Sequence, residues 1–179
     1  MRESKINLEF AIRFRDCMHL LGYKTKMIRS DDRSIHVSGD TIRAQKVSDM
    51  KERVRRIQDT PRAVLVSIHQ NHFRDAKYKG AQVFHSSTPH SKEIAVYLQS
   101  SFKQVLGDHN QRLAKLGKGV YLLNHIHCPG ILVECGFLSN PEEEALLRSE
   151  EYQKQFISVM AGAISSILPR CSLDPLSDD

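Results

Sequence analysis

Two residues of this 179-residue chain have the type and the setting to do chemistry. His69 stands in VSIHQNHF, where a run of apolar, β-branched residues gives out, and Glu134 stands in ILVECGFLSNPEE, near the end of another. A single histidine at a strand end is commonly a hydrogen-bonded, partly buried imidazole with no further role. A carboxylate between Val133 and Cys135 is harder to pass over, because an ionised group in an apolar strand is costly unless a cation or a hydrogen-bonding role compensates. A buried carboxylate beside a metal-bound water is what a general base for hydrolysis requires. The neighbouring Cys135 is a poor nucleophile candidate, since alternation along a strand turns its side chain to the opposite face.

The elements that must position these residues follow from hydrophobic spacing. Ile6, Phe10, Phe14, Cys17, Met18 and Leu21 recur at three- and four-residue steps, which predicts an amphipathic helix over residues 5–21, stopped by Gly22. Residues 24–29 read as a short strand. A second helix is expected over residues 41–58, with Val47, Met50, Val54 and Ile57 as its apolar stripe, ended by Pro61. Residues 63–68 read as a strand covered on both faces, the pattern of a parallel sheet. Residues 81–85, 120–123 and 131–135 read as further strands, and residues 91–106 as a helix. Asn140-Pro141 followed by Glu142, Glu143 and Glu144 is a helix start, with Asn as N-cap, Pro at the first position and acids against the helix dipole. A last helix spans residues 149–168, and residues 169–179 read as a disordered, Pro- and Asp-rich tail. Alternating helices and strands predict an α/β domain with an open, mostly parallel sheet flanked by helices. Ligand sites of such sheets lie beyond the carboxyl ends of the strands, where His69 and Glu134 fall.

Composition narrows the function classes. Apolar residues make up 40% and charged residues 26%, which is globular and argues against a disordered or fibrous chain. No apolar run approaches the roughly 20 residues that span a bilayer, and residues 1–10 lack the continuous apolar stretch of an export signal. Neither a membrane span nor a signal is therefore expected. The formal charge is +5, with 15 basic against 9 acidic residues in positions 1–62. That basic third, including Lys46, Lys51, Arg53, Arg55 and Arg56, reads as a solvated helix face or as a surface for an anionic polymer such as bacterial wall. Few aromatic residues accompany it to stack on bases, so nucleic acid is not an expected partner. Cys17, Cys128, Cys135 and Cys171 form no CxxC pair and no disulfide framework.

VSIHQNHF and ILVECGFLSNPEE, with ESKINLEFA before them and KVSDMKERVRRI between, resemble the zinc-dependent N-acetylmuramoyl-L-alanine amidases of the bacterial cell wall. The likeness runs from Glu3 to about Leu168. YKGAQVF and VYLLNHIHCPGILVECGFLSNPEE are most like the germination-specific amidases of spore-forming bacteria. The resemblance implies a phosphorylase/hydrolase-like amidase fold, and zinc bound by Glu3 and His69. It makes Glu134 the catalytic residue, taking a proton from the zinc-bound water and passing it to the leaving amine. The substrate it implies is peptidoglycan, cut between the lactyl group of N-acetylmuramic acid and L-alanine of the stem peptide. The implied setting is outside the cytoplasm, in the cell wall or the space between the forespore membranes, during cortex maturation and germination.

One departure from the family pattern stands out. The family's first zinc ligand is a histidine of a DPGHGG motif that ends a first core strand, whereas only Met1 and Arg2 precede Glu3 here. The chain is therefore read as an amidase domain over residues 1–168 without its first strand. Catalytic zinc usually takes three protein ligands and a water. His72, His125 and His127 are substitute candidates for the third place, with surface or hydrogen-bonding roles as the plainer reading. A different class of function also fits: a catalytically silent amidase that binds peptidoglycan or a protein partner. An activating protein partner that completes the zinc site is a further expectation.

Overall fold

The computed structural model describes residues 3–107, 110–171 and 173. Helix α1 (Glu3–Leu20) forms because Ile6, Phe10, Phe14 and Met18 repeat every four residues and are all buried. Its chain reverses at Gly22, whose φ of 86° a side chain would resist. Residues 24–29 then form no regular element and pair with no described strand. Their ties are to side chains instead: Lys26 donates to Thr60, and Arg56 donates to the Ile28 carbonyl at 3.0 Å. The predicted short strand is thus an irregular connection.

Helix α2 (Ile42–Gln58) is capped by Thr41, whose hydroxyl accepts from the Ala44 amide. Of the predicted apolar stripe, Ile57 is buried and Met50 and Val54 pack against the same small core, but the buried face also takes in polar residues. Val47 is 49% exposed, while Ser48, Asp49 and Glu52 are buried. The reason is the irregular segment that precedes the helix, whose backbone amides need acceptors. Asp49 accepts from the Ile35 amide and the Ser34 hydroxyl at 2.8 and 2.7 Å, and Ser48 accepts from the Val37 and Ser38 amides. Arg53, Arg55 and Arg56 turn back onto Asp49 and Glu52. Much of the basic helix face is therefore neutralised within the chain.

Among the described residues four strands make the sheet: β1 (Leu65–Asn71), β2 (Gln82–His85), β3 (Lys115–Leu116) and β4 (Gly130–Phe137), in the order β1-β4-β2-β3. β1 runs parallel to β4 and β3 parallel to β2, while β2 and β4 are antiparallel. The remaining helices are α3 (Ser91–Leu106), α4 (Tyr121–His125), α5 (Pro141–Arg148) and α6 (Glu150–Ile167). One core lies between the sheet and α1, α3 and α6, centred on Phe10, Phe102 and Phe156, whose rings meet at 5.6 and 4.6 Å. A smaller core on the other face joins Ile57 of α2 to Leu65, Leu122, Leu123, Ile126 and Leu132. The sheet is thus flanked by helices on both faces, as expected.

Residues 120–123 are not a strand. Val120 precedes α4, and Leu122, Leu123 and Ile126 enter the smaller core at helical spacing. A short apolar run does not by itself distinguish strand from buried helix. The segment 107–119 similarly contains β3, among its described residues. Asn140 caps α5 as predicted, accepting from the Glu142 and Glu143 amides, and Ser149 caps α6. The tail departs from expectation at its start: Pro169–Cys171 is a 3-10 turn with Cys171 buried against the larger core. Residues 172 and 174–179 of that predicted tail lie outside the described residues.

Candidate active site

β4 is buried along its whole length except at one residue, Glu134. Ile131, Val133 and Cys135 point into the larger core, so Leu132 and Glu134 face the other way. His69 is the register partner of Glu134 on β1, and Gln82 is its partner on β2. Partners across a ladder share a face, so the imidazole, the carboxylate and the Gln82 amide lie side by side. Both predicted residues are inside their strands rather than past the ends, because β1 extends to Asn71 and β4 to Phe137. Gly136 is also within β4. A Cβ there would come to 3.2 Å from the Leu147 side chain, so glycine lets α5 close against the strand.

Glu3 reaches this group from the first turn of α1. Its Oε1 lies 3.4 Å from His69 Nδ1 and accepts from Asn7 Nδ2 at 3.0 Å, one helical turn further on. The hydrogen bond to His69 holds the Glu3 carboxyl below its ordinary range; partial burial opposes this and the Asn7 bond supports it. Glu134 shifts the other way. Burial pushes its carboxyl up, His69 counteracts, and the nearby Glu3 charge adds to the rise. Its Oε2 is buried without a hydrogen-bond partner, a costly arrangement that suits an acceptor whose partner arrives with substrate or metal. Two carboxylates pushed apart in acidity around one imidazole are suited to an acid–base role and a ligand role.

The donor set fits a metal ion in kind: one imidazole nitrogen and one carboxylate, side by side, with a second, unpartnered carboxylate beside them. The substitute ligands do not join it. His125 and His127 lie in and just after α4, before β4 begins, whereas Glu134 is four residues into that strand, roughly 13 Å along it. His125 is instead stacked on Tyr121 at 4.0 Å. His72 forms no three-ligand group with Glu3 and His69. Among the described residues such a group occurs elsewhere, at His90, Glu93 and Cys171, whose ligand atoms lie within 4.8 Å of one another. His90 follows the far end of β2 from Gln82, so that group is separate from Glu134.

Several side chains that hold the site carry no local sequence signal. Arg29 donates to the Ser4 and Asp31 carbonyls and pairs with Asp32, fixing the first turn of α1 and with it Glu3. Arg112 donates to Gln82 Oε1 at 3.0 Å and to the Lys79 carbonyl at 2.9 Å. An open groove lined by Ile42, Arg43, Lys46, Val47, Met50 and Tyr121 shares no residue with this site.

The family model described as N-acetylmuramoyl-L-alanine amidase matches residues 1–166. The chain belongs to this amidase family. It is 33% identical over 158 residues to the germination-specific N-acetylmuramoyl-L-alanine amidase of Bacillus subtilis, covering 87% of this chain and 66% of that protein. It is 27% identical over 207 aligned positions to the amidase AmiC of Neisseria meningitidis, covering 92% of this chain and 47% of that protein. The chain thus spans about two thirds and about half of the lengths of these curated relatives. Among solved structures, the CwlD amidase of Clostridioides difficile, in complex with the GerS lipoprotein, superposes with a TM-score of 0.90. It shares 32% identity, and the match covers 95% of this chain and 88% of that one. The amidase fold and the germination-type likeness read from the motifs both stand.

Proposed function

We propose that this chain hydrolyses the amide between the lactyl group of N-acetylmuramic acid and L-alanine of the peptidoglycan stem peptide. The observation that carries the reading is the buried, unpartnered oxygen of Glu134, in register with His69 and next to the Glu3 carboxylate. Glu3 and His69 would hold zinc. When bound there, zinc supplies a coordinated water of pKa about 7 and polarises the scissile carbonyl. Asn7 and Arg29 hold Glu3 in place, and Glu3 in turn orients the His69 ring through Nδ1. Glu134, with its carboxyl raised by burial, is suited to take the proton of the attacking water and return it to the L-alanine amine.

The substrate places this activity outside the cytoplasm, in cell wall or spore cortex, and the likeness to the germination-specific amidase supports the cortex. Among the described residues no helix is long and apolar enough to cross a membrane. The complex of CwlD with GerS supports a protein partner for this chain as well. A second reading, a silent amidase that binds peptidoglycan or a protein without cutting, is favoured by one observation. Only Glu3 and His69 of the usual three protein ligands are together among the described residues. The experiment is digestion of purified peptidoglycan with added zinc, read by mass spectrometry. Hydrolysis predicts free L-alanyl stem peptides from the parent chain and none from Glu134→Gln. Binding to peptidoglycan without release by either would establish the silent reading.

A further inference from the structure

Large exposed aromatic rings are uncommon on a soluble domain unless something covers them. Two lie together beyond the site end of the sheet: Phe73, 53% exposed, and Tyr78, 38% exposed. They pack edge to face with centroids 4.9 Å apart, and Tyr78 is stacked on Phe137 at 6.3 Å. Phe137 is the residue of β4 three places after Glu134, roughly 10 Å along the strand, and it pairs with Asn71, two places after His69. The exposed pair therefore stands on the rim of the candidate active site.

The rings are held from several sides. The Phe73 amide donates to Ser139 Oγ at 3.0 Å, and Asn140 Nδ2 ties the loop through the Ala76 carbonyl at 2.8 Å. Arg112 lies over the buried inner ring, Phe137, at 4.6 Å, and it donates to Gln82, the register partner of Glu134. Gly80, with φ of 94°, turns the chain so that Tyr78 projects there while Gln82 enters the sheet. Lys77 sits 5.5 Å from the centre of the Tyr78 ring and pairs with Asp75. The patch is small, fixed before any ligand arrives, apolar on its ring faces and ringed by hydrogen-bonding groups.

We propose that Phe73 and Tyr78 form a carbohydrate subsite that stacks on a sugar ring of the glycan strand next to the muramoyl residue being cut. A pyranose offers one face of C–H bonds to an aromatic ring and a rim of hydroxyls and amides to polar neighbours, which matches this composition. Continuity with Glu134 through Phe137 selects the glycan over an unrelated protein surface. Preorganised rings bind at low ordering cost, so the subsite favours polymeric substrate over isolated muramoyl peptide. The inference rests on the amidase reading of the same site.

The test is binding, measured in the Glu134→Gln background so that nothing is consumed, to two probes. One is a soluble glycan fragment of several disaccharide units bearing stem peptides; the other is a single muramoyl peptide without flanking sugars. Phe73→Ala combined with Tyr78→Ala is expected to weaken glycan binding by about tenfold and to leave the single muramoyl peptide unchanged. Tyr78→Phe, which keeps the ring and the fold, is expected to bind glycan as the parent does. The subsite is overturned if the double variant binds glycan like its parent, or loses both probes equally. If the parent binds neither probe, the amidase reading fails first and takes the subsite with it; binding of the parent with indifferent variants removes the subsite alone.

Discussion

Glu134→Gln should make the protein more stable while removing its activity. In the parent, Oε2 of Glu134 is buried with no hydrogen-bond partner, and burial disfavours its charge. A buried unsatisfied polar group costs about 1–3 kcal/mol, and more when charged. Glutamine keeps the shape and leaves a polar atom unpaired, but removes the charge and its repulsion with Glu3. The recovered part is therefore about 1 kcal/mol, the low end of that range. For a domain of this size that corresponds to a rise in Tm of roughly 2–4 °C. Thermal unfolding followed by circular dichroism, with chelator present so that no metal contributes, measures it directly. A Glu134→Gln variant that unfolds at or below the parent's temperature would refute the reasoning, because the carboxylate would then have a stabilising partner in the folded state.

Other outcomes follow from the same contacts. Arg29→Ala frees the first turn of α1 and should weaken zinc binding by roughly ten- to a hundredfold while the far-ultraviolet spectrum stays that of the parent; calorimetric titration reads the first and circular dichroism the second. Asn140→Ala removes the α5 cap and the tie to Ala76, and should cost at least about 1 kcal/mol in urea unfolding. Arg55 and Arg56 hold the Glu52 carboxyl at about 2 rather than 4.5, so the folded state gains from that carboxylate above 4.5 and loses the gain as pH falls through about 2. Glu52→Gln should therefore be the less stable protein near neutral pH, with the difference closing between those two values. Phe156→Ala, at the centre of the larger core, should cost about 3–5 kcal/mol in the same denaturant assay.

How much of this was legible in the sequence depends on how local each cause is. α1, α3 and α6 follow from patterns that act within a few residues and appear with nearly the predicted bounds, and α5 starts where Asn140-Pro141 predicts. Glu134 stood out because seven apolar or small residues surround it in one strand. Its partnership with His69 needed the register of two strands far apart in sequence, which no local pattern reveals, and Gln82 was missed for the same reason. α2 also buries Ser48 and Asp49, because an irregular segment elsewhere requires acceptors, a tertiary demand that no apolar stripe reveals. Residues 120–123 were misread since four apolar residues fit a strand and a buried helix equally well. Arg29 carries no assignable role in the sequence, and only its bond to the Ser4 carbonyl marks it as a positioning residue.

The decisive measurement is titration of the chain with cobalt(II) as a coloured stand-in for zinc, on the parent and on His69→Ala, Glu3→Ala and Cys171→Ser. The visible spectrum of bound cobalt should appear with the parent, vanish with His69→Ala and Glu3→Ala, and persist unchanged with Cys171→Ser. A spectrum that survives loss of His69 but disappears with Cys171→Ser, along with its sulfur-to-cobalt band, would place the metal at His90, Glu93 and Cys171 and contradict a metal centre beside Glu134.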